Sequence, residues 1–226
     1  MYSSMFKRLF DLLLAVIALL LFIPIFIPII LLLLFTGEHR VFYLQERIGL
    51  KNRKFKICKF ATMLKDSPNM GTGSLTLRND PRVTWVGRFL RKSKINELPQ
   101  IFNVINGTMS IIGPRPQMEV DFKAFPQEIQ KVIYNEKPGI SGIGSIVFRD
   151  EEKLMSNTDM EPHTYYKSII APYKGDLEKW YLSNISFWVD IKLIFLTIWV
   201  VISPQNQMCF EILKNLPLLP DNLKNK

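Results

Sequence analysis

The first strong pattern along the chain is a run and not an alternation. Residues 12–35 carry no charge and no polar side chain, and only Pro24 and Pro28 interrupt them. At about 1.5 Å rise per residue the run would reach about 36 Å as a helix, enough to cross a bilayer. It is too long for the apolar part of a signal peptide, and no A-x-A-like site follows it. Lys7 and Arg8 precede it, while Arg40, Arg47, Lys51, Arg53, Lys54, Lys56 and Lys59 follow. A spanning helix would put one basic flank outside, against the positive-inside tendency. Pro24, with Pro28 one turn later, removes backbone hydrogen bonds and favours a membrane kink. A bent, re-entrant helix that enters and leaves one face satisfies both features, with a spanning anchor as the alternative.

Beyond residue 36 the pattern is that of a globular domain. Residues 41–44 and 54–60 alternate apolar and polar positions and predict short strands. Residues 67–74 (SPNMGTGS) predict a mobile, turn-rich loop. Helical spacing predicts a helix in 82–91 and another over 96–105, with Pro99 in its first turn. One or two amphipathic helices are predicted over 117–136. Residues 137–144 (KPGISGIG) predict a loop before a short strand at 145–148. Helices over 173–182 and 185–202 hold Trp180, Tyr181, Phe187, Trp188 and Trp199, which suit either the membrane interface or a core. The predicted fold is α/β in a loose sense, mainly helical with a small sheet. It comprises an N-terminal re-entrant membrane helix (1–36), one cytoplasmic globular domain with interfacial amphipathic helices (37–204) and a C-terminal tail (205–226).

Composition sharpens this division. The 226 residues include 29 Lys+Arg and 20 Asp+Glu, a formal net charge of +9, of which only +1 lies in residues 1–36. Charge is ordinary in the body and nearly absent from the head, which excludes disorder, a polytopic bundle and a fibrous protein. Cys58 and Cys209 lack CxxC spacing and are expected to be ordinary thiols in a reducing compartment. His39 and His163 are too few and too isolated for a zinc site. No GxGxxG or Walker A loop is present.

Candidate chemistry gathers at Gly/Pro turns, at Arg82, Arg88 and Arg91, at Arg115 within GPRP, and at Arg149 within FRDE. Arg115 sits between Pro114 and Pro116, so its backbone has little freedom and its guanidinium is aimed in advance, which suits phosphate. Lys51–Lys56 suits a solvated surface or attraction to anionic lipid. Asn96-Glu97-Leu98-Pro99-Gln100 opens the predicted helix. A carboxylate there stays ionised in the positive end of the dipole, which makes Glu97 a Mg²⁺ ligand or nucleophile. Plain capping by Asn96, with Glu97 as a first-turn residue, accounts for the same spacing.

Seven segments occur in order: KRLFD (7–11), the apolar run with Pro24, FYLQERIGL (42–50), KFATM (59–63), DPRVTWVGRFLRKSKINELPQIFNVINGTMSIIGPRP (80–116), KPGISG (137–142) and SFWVDIK (186–192). Together they resemble the bacterial sugar transferases, the small monotopic phosphoglycosyl transferases that begin lipid-linked glycan assembly. The resemblance covers about residues 5–200. It implies transfer of a phosphosugar from a nucleotide diphosphate sugar, usually a UDP-sugar, to membrane polyprenol phosphate with release of UMP. It also implies the cytoplasmic face of the bacterial inner membrane, a re-entrant helix, a Mg²⁺ ion, and an Asp-Glu dyad before LPQ whose Asp takes the phosphosugar covalently. The implied phosphate ligands are Lys59, Arg82, Arg88, Arg91, Arg115 and Arg149. The implied partners are the nucleotide sugar, polyprenol phosphate and anionic lipids, and a homodimer through the membrane elements stays open.

Four departures from the family pattern matter. Asn96 stands where the dyad has Asp, and an amide is neither a nucleophile nor an anionic metal ligand. Either Glu97 is the nucleophile, or Asp150 supplies the missing charge, or transfer is direct; a non-catalytic scaffold of a glycan pathway is the alternative of another class. Ala61 replaces a basic residue, Ile23 precedes Pro24 where Ser is usual, and IGSIVFRDE replaces the usual WAQVxGRN, a place where sugar or nucleotide selectivity is expected. A nucleic-acid binder would rest on charge alone, without a recognition motif, and is set aside.

Overall fold

A computed structural model describes residues 4–70, 75–77, 79–156, 158–203 and 208–224; loop positions 71–74 and the expected boundary at 204–205 lie outside these. In chain order the elements are helix α1 (Ser4–Phe35), strands β1 (Phe42–Ile48) and β2 (Lys54–Phe60), α2 (Trp85–Lys92), a 3₁₀ segment (Ile95–Gln100) and α3 (Ile101–Ile105). Strand β3 (Ser110–Ile112), α4 (Glu119–Phe122), α5 (Gln127–Val132), β4 (Gly139–Ser141) and α6 (Ile143–Val147) follow. The remainder is α7 (Glu151–Ser156), α8 (Pro162–Tyr165), a π turn (Tyr166–Ile170), α9 (Ala171–Ser183), α10 (Phe187–Ile202), α11 (Met208–Ile212) and α12 (Asp221–Lys224). The protein is mainly helical with two small sheets, one antiparallel (β1–β2) and one parallel (β3–β4).

Helix α1 runs through Pro24 and Pro28 and is long and apolar enough to cross a membrane. One narrow stripe of it, Ala15, Ala18, Leu19, Phe22, Phe26, Ile29, Ile30 and Leu33, packs on the body at three- and four-residue spacing. The first half of the stripe meets Ile57, Ile101, Val104 and Met109, and the second half meets Phe60, Val86 and Leu90. The opposite side, including Leu13, Leu20, Leu21, Ile27 and Leu31, is exposed. Three charged residues in its first turns fasten the helix. Asp11 accepts from Ser110 Oγ at 2.8 Å and from the Ile111 N–H at 3.0 Å. Arg8 donates to the Val104 and Ile105 carbonyls at the end of α3, and Lys7 pairs with the buried Asp190 of α10.

Strand β2 matches its expected bounds, while β1 runs four residues beyond the expected 41–44. Its polar QER segment pairs in full register, with Glu46 opposite Lys56 and Ile48 opposite Lys54. The expected helix over 96–105 begins as a 3₁₀ segment, because Lys94 adopts a left-handed conformation (φ 59°) and resets the chain after α2. Asn96 therefore lies inside this segment and makes no capping hydrogen bond, so the capping interpretation is corrected. The region 117–136 forms two helices, α4 and α5. The strand expected at 145–148 is instead helix α6, and the strand lies earlier, within the glycine-rich loop. A Cβ on Gly139 would come within 2.1 Å of the Gly113 nitrogen, so only glycine lets β4 approach β3 this closely. Ser67–Asn69 of the expected mobile loop is a 3₁₀ turn pinned from below by Arg82.

The two aromatic helices differ in how far they are buried. In α9, Trp180 and Tyr181 are buried, and the helix joins Ile129, Ile133, Ile143, Leu193 and Leu196 in the principal core. In α10, Leu193, Leu196 and Val200 face that core while Trp188, Phe195, Ile198 and Ile202 are exposed. Residues Cys209, Leu213, Leu216 and Leu223 return to the same core, so 208–224 packs onto the domain it follows.

Candidate active site

The site forms where β2, the 3₁₀ segment and the Pro114–Pro116 turn converge. Strand β2 delivers Lys59 and the 3₁₀ segment delivers Asn96 and Glu97. Arg115 comes from the turn that follows β3. Glu97 Oε1 accepts from Lys59 Nζ at 2.9 Å and from Arg115 at 3.2 Å. Both bonds fall on one carboxylate oxygen. Arg47, Ile57, Lys59, Gln100, Arg115 and Pro116 line an opening beside this group. Arg47 is held there by Gln45 Oε1 at 2.6 Å and by the Pro116 carbonyl at 3.3 Å.

The electrostatics are those of Glu97 among several cations, with Asp121 also acting on Arg47 and Glu151 on Arg115. Burial by itself would push the Glu97 carboxyl up, but Lys59, Arg115 and Lys94 outweigh it and hold Glu97 well below the usual carboxylate range. Burial lowers Lys59 to about 8, with Glu97 opposing the shift. Arg115 is raised, chiefly by Glu97, and burial lowers Arg47. Glu97 is thus ionised across the physiological range. Beside it, the buried Asn96 Oδ1 has no hydrogen-bond partner among the described residues. Asn96 Oδ1 and the Glu97 carboxylate are hard oxygen donors on successive residues, the donor type that Mg²⁺ takes together with phosphate and water, although no group of three or more acidic, Cys or His residues is placed to hold a metal ion among the described residues.

Of the residues singled out in the sequence, Lys59, Asn96, Glu97 and Arg115 come together, and the others do not join them. Arg82, expected to bind phosphate, is 3% exposed and committed to Asp80 at 2.6 Å and to the Ser67, Met70 and Leu75 carbonyls. It holds a loop, because three carbonyls and a carboxylate satisfy a planar fork as phosphate would. Arg88 is exposed on α2 between Trp85 and Phe89, both more than 60% exposed. Arg91 pairs with Glu152 at 2.6 Å, and Arg149 donates to the Val200 carbonyl near the end of α10. Asp150 lies on the exposed turn before α7, where its carbonyl accepts from the Lys153 N–H at 2.9 Å. No hydrogen bond or ion pair joins it to Glu97 among the described residues.

Sequence reasoning missed Arg47, which looked like one of many flanking cations, and Glu178 of α9. Glu178 is 1% exposed, and its Oε1 accepts from the Arg115 N–H at 3.4 Å. Nothing in its local sequence marks it, since its partner is 63 residues away.

Residues 2–204 match the family described as Bacterial sugar transferase. The chain is 35% identical over 199 residues to the UDP-N-acetylgalactosamine-undecaprenyl-phosphate N-acetylgalactosaminephosphotransferase of Aeromonas hydrophila, covering 87% of this chain and 44% of that protein. It is 32% identical over 216 residues to the UDP-galactose-lipid carrier transferase of Erwinia amylovora, covering 89% of this chain and 41% of that one. The chain thus spans less than half the length of these relatives. With the exopolysaccharide production protein ExoY of Rhizobium meliloti it shares 34% identity over 211 residues, 87% and 85% of the two chains. A match over nearly the whole chain, carrying the ordered segments that build the site, places this protein in the bacterial sugar transferase family.

Proposed function

We propose that this protein transfers a phosphosugar from a UDP-sugar to membrane polyprenol phosphate, releasing UMP, with Glu97 as the nucleophile. The observation that carries the reading is the ionised Glu97 held by Lys59 and Arg115 at the edge of a cation-lined opening. A Glu97 oxygen attacks the phosphorus that bears the sugar, forming a carboxyl–phosphate bond. The bond from that phosphorus to the bridging oxygen breaks, and UMP leaves with the electron pair. A phosphate oxygen of the polyprenol phosphate then attacks the same phosphorus, gives polyprenol-diphosphate-sugar and restores the carboxylate. Two steps suit the problem, because a water-soluble donor and a membrane-bound acceptor use one site in turn. Arg115, Lys59 and Arg47 neutralise charge on the diphosphate as it divides. A Mg²⁺ ion held by Asn96 Oδ1 and Glu97 would supply further neutralisation of the departing phosphate.

In this reading α1 is re-entrant and the body rests on the cytoplasmic face. The support is its contact stripe, which runs from Ala15 to Leu33 against one body and leaves no free stretch long enough to span alone. Trp85 and Phe89 of α2, with Trp188 and Ile198 of α10, offer apolar side chains to the interface. Arg88 between Trp85 and Phe89 then meets lipid phosphate.

The test is mass spectrometry of the protein mixed with UDP-sugars and Mg²⁺, followed by addition of polyprenol phosphate. A phosphosugar adduct on Glu97 that disappears on adding the acceptor is the expected result. Turnover without an adduct replaces the two-step route with direct transfer. No UMP release from any UDP-sugar rejects the reading in favour of a non-catalytic role.

A further inference from the structure

Arg115 is the one residue of the Pro114–Pro116 turn with a backbone N–H, and its peptide is held at both ends by side chains. Glu178 Oε1 takes the N–H at 3.4 Å, and the Tyr134 hydroxyl donates to the Arg115 carbonyl at 2.8 Å. The same hydroxyl accepts from the Gln117 N–H at 2.9 Å. Space for the carboxyl is made by Gly144 of α6, where a Cβ would lie 2.4 Å from Glu178 Oε1. Glu178 Oε2 is buried and has no hydrogen-bond partner among the described residues. The nearest cation on the same helix, Lys174, is committed elsewhere, to Glu151 Oε2 at 2.7 Å and to the faces of Phe148 and Tyr166.

A buried carboxyl with one idle oxygen and no ion-pair partner stabilises nothing by itself. An apolar side chain of the same length would fill the space better. What the carboxyl does is take the only N–H of a turn whose guanidinium lies on Glu97. The geometry points to Glu178 as a positioning residue for Arg115. It fixes the turn from behind, so that the guanidinium stays aligned with Glu97 and with the diphosphate of the donor. This inference rests on the phosphosugar-transfer reading, in which Arg115 meets that diphosphate.

The test uses the full chain in detergent micelles, with UDP affinity by calorimetry, KM and kcat for the donor, and the unfolding midpoint. Glu178→Gln keeps an acceptor for the Arg115 N–H, whereas Glu178→Met keeps the length and removes it. The expected result is UDP affinity and KM within about twofold of wild type for Gln. For Met the expected result is a loss of about tenfold in both, the scale of one well-placed contact, with an unlowered unfolding midpoint. Wild-type affinity in a folded Glu178→Met overturns the inference, as does an equal loss in Gln and Met. Should Met not fold, Glu178→Leu also removes the acceptor and carries the same tenfold expectation, with wild-type affinity overturning the inference. Wild-type protein that binds UDP yet releases no UMP from any donor defeats the transfer reading alone, and the Glu178 comparison of UDP affinities still decides this inference.

Discussion

Glu178 makes a prediction about stability that runs opposite to intuition for a buried hydrogen-bonded residue. Burial raises its carboxyl from the ordinary 4.5 to about 7, against the opposing pull of the Arg115 N–H, Lys174 and Arg115. Below pH 4.5 the group is protonated in folded and unfolded chains alike, and its contribution to stability is whole. As pH rises from 4.5 through 7 the unfolded chain releases the proton first, so stability falls, and above 7 the loss is complete. The gap between 4.5 and about 7, at about 1.4 kcal/mol per pH unit, amounts to about 3 kcal/mol. Glu178→Gln removes the titrating group and keeps an acceptor. Its midpoint should therefore gain on wild type by roughly 6–12 °C between pH 4.5 and pH 8, at about 2–4 °C per kcal/mol for a chain of this size. The assay is unfolding of both proteins in the same micelles at pH 5, 6, 7 and 8. Other titrating groups, including Lys59, are common to both and cancel. A difference in midpoint that does not change with pH refutes the reasoning, because it leaves Glu178 ionised at all of these pH values.

Three other substitutions test the rest of the scheme. Glu97→Gln should abolish the adduct and lower turnover by on the order of a thousandfold or more, while UDP still binds; retained turnover would move the nucleophile elsewhere. Arg82→Lys should lower stability by about 3 kcal/mol, since a single ammonium cannot serve Asp80 and three carbonyls. Donor KM should stay unchanged in that variant, and a raised KM at full stability would return Arg82 to the phosphate set. Asp11→Ala strands the Ile111 N–H and the Ser110 hydroxyl, both given to that carboxylate, and should cost about 3 kcal/mol by urea unfolding; an unshifted midpoint would mean that the apolar stripe alone seats α1.

Legibility in the sequence followed the range of the interactions. Strand β2 was readable because its alternation is local, and β1 was readable only in part because its polar half is held by the partner strand. Strand β4 was hidden, since Gly139 within it and Gly142 just after it serve contact with Gly113 and leave no periodic signal. Lys59, Glu97 and Arg115 were recoverable from residue type and ordered spacing. Arg82 was misassigned for a physical reason: a guanidinium beside a Gly/Pro turn looks alike whether carbonyls or a phosphate fill its fork. Asp11 and Glu178 act through burial and partners about 60 or more residues away, which no local window contains, and Arg47 is placed in the site by the Pro116 carbonyl 69 residues on as well as by nearby Gln45. The aromatic helices could not be told apart by composition, because what separates α9 from α10 is which neighbours cover each face.

In the proposed reading Asn96 stands where the family pattern carries an aspartate, and the uncharged amide gives the resting charge of the site a direction. Lys59, Lys94 and Arg115 all act on Glu97, while Asp121 also acts on Arg47 and Glu151 on Arg115. In the proposed reading an aspartate at 96 would add a second negative charge on the residue before Glu97 and oppose an incoming phosphate. With an amide there, the cations are left for the diphosphate, and Asn96 Oδ1 offers a neutral ligand in place of a charged one. In the proposed reaction Mg²⁺ would enter bound to the diphosphate. In the proposed reaction the same cations that attract the donor also hold Glu97 ionised, which is the state a nucleophile requires.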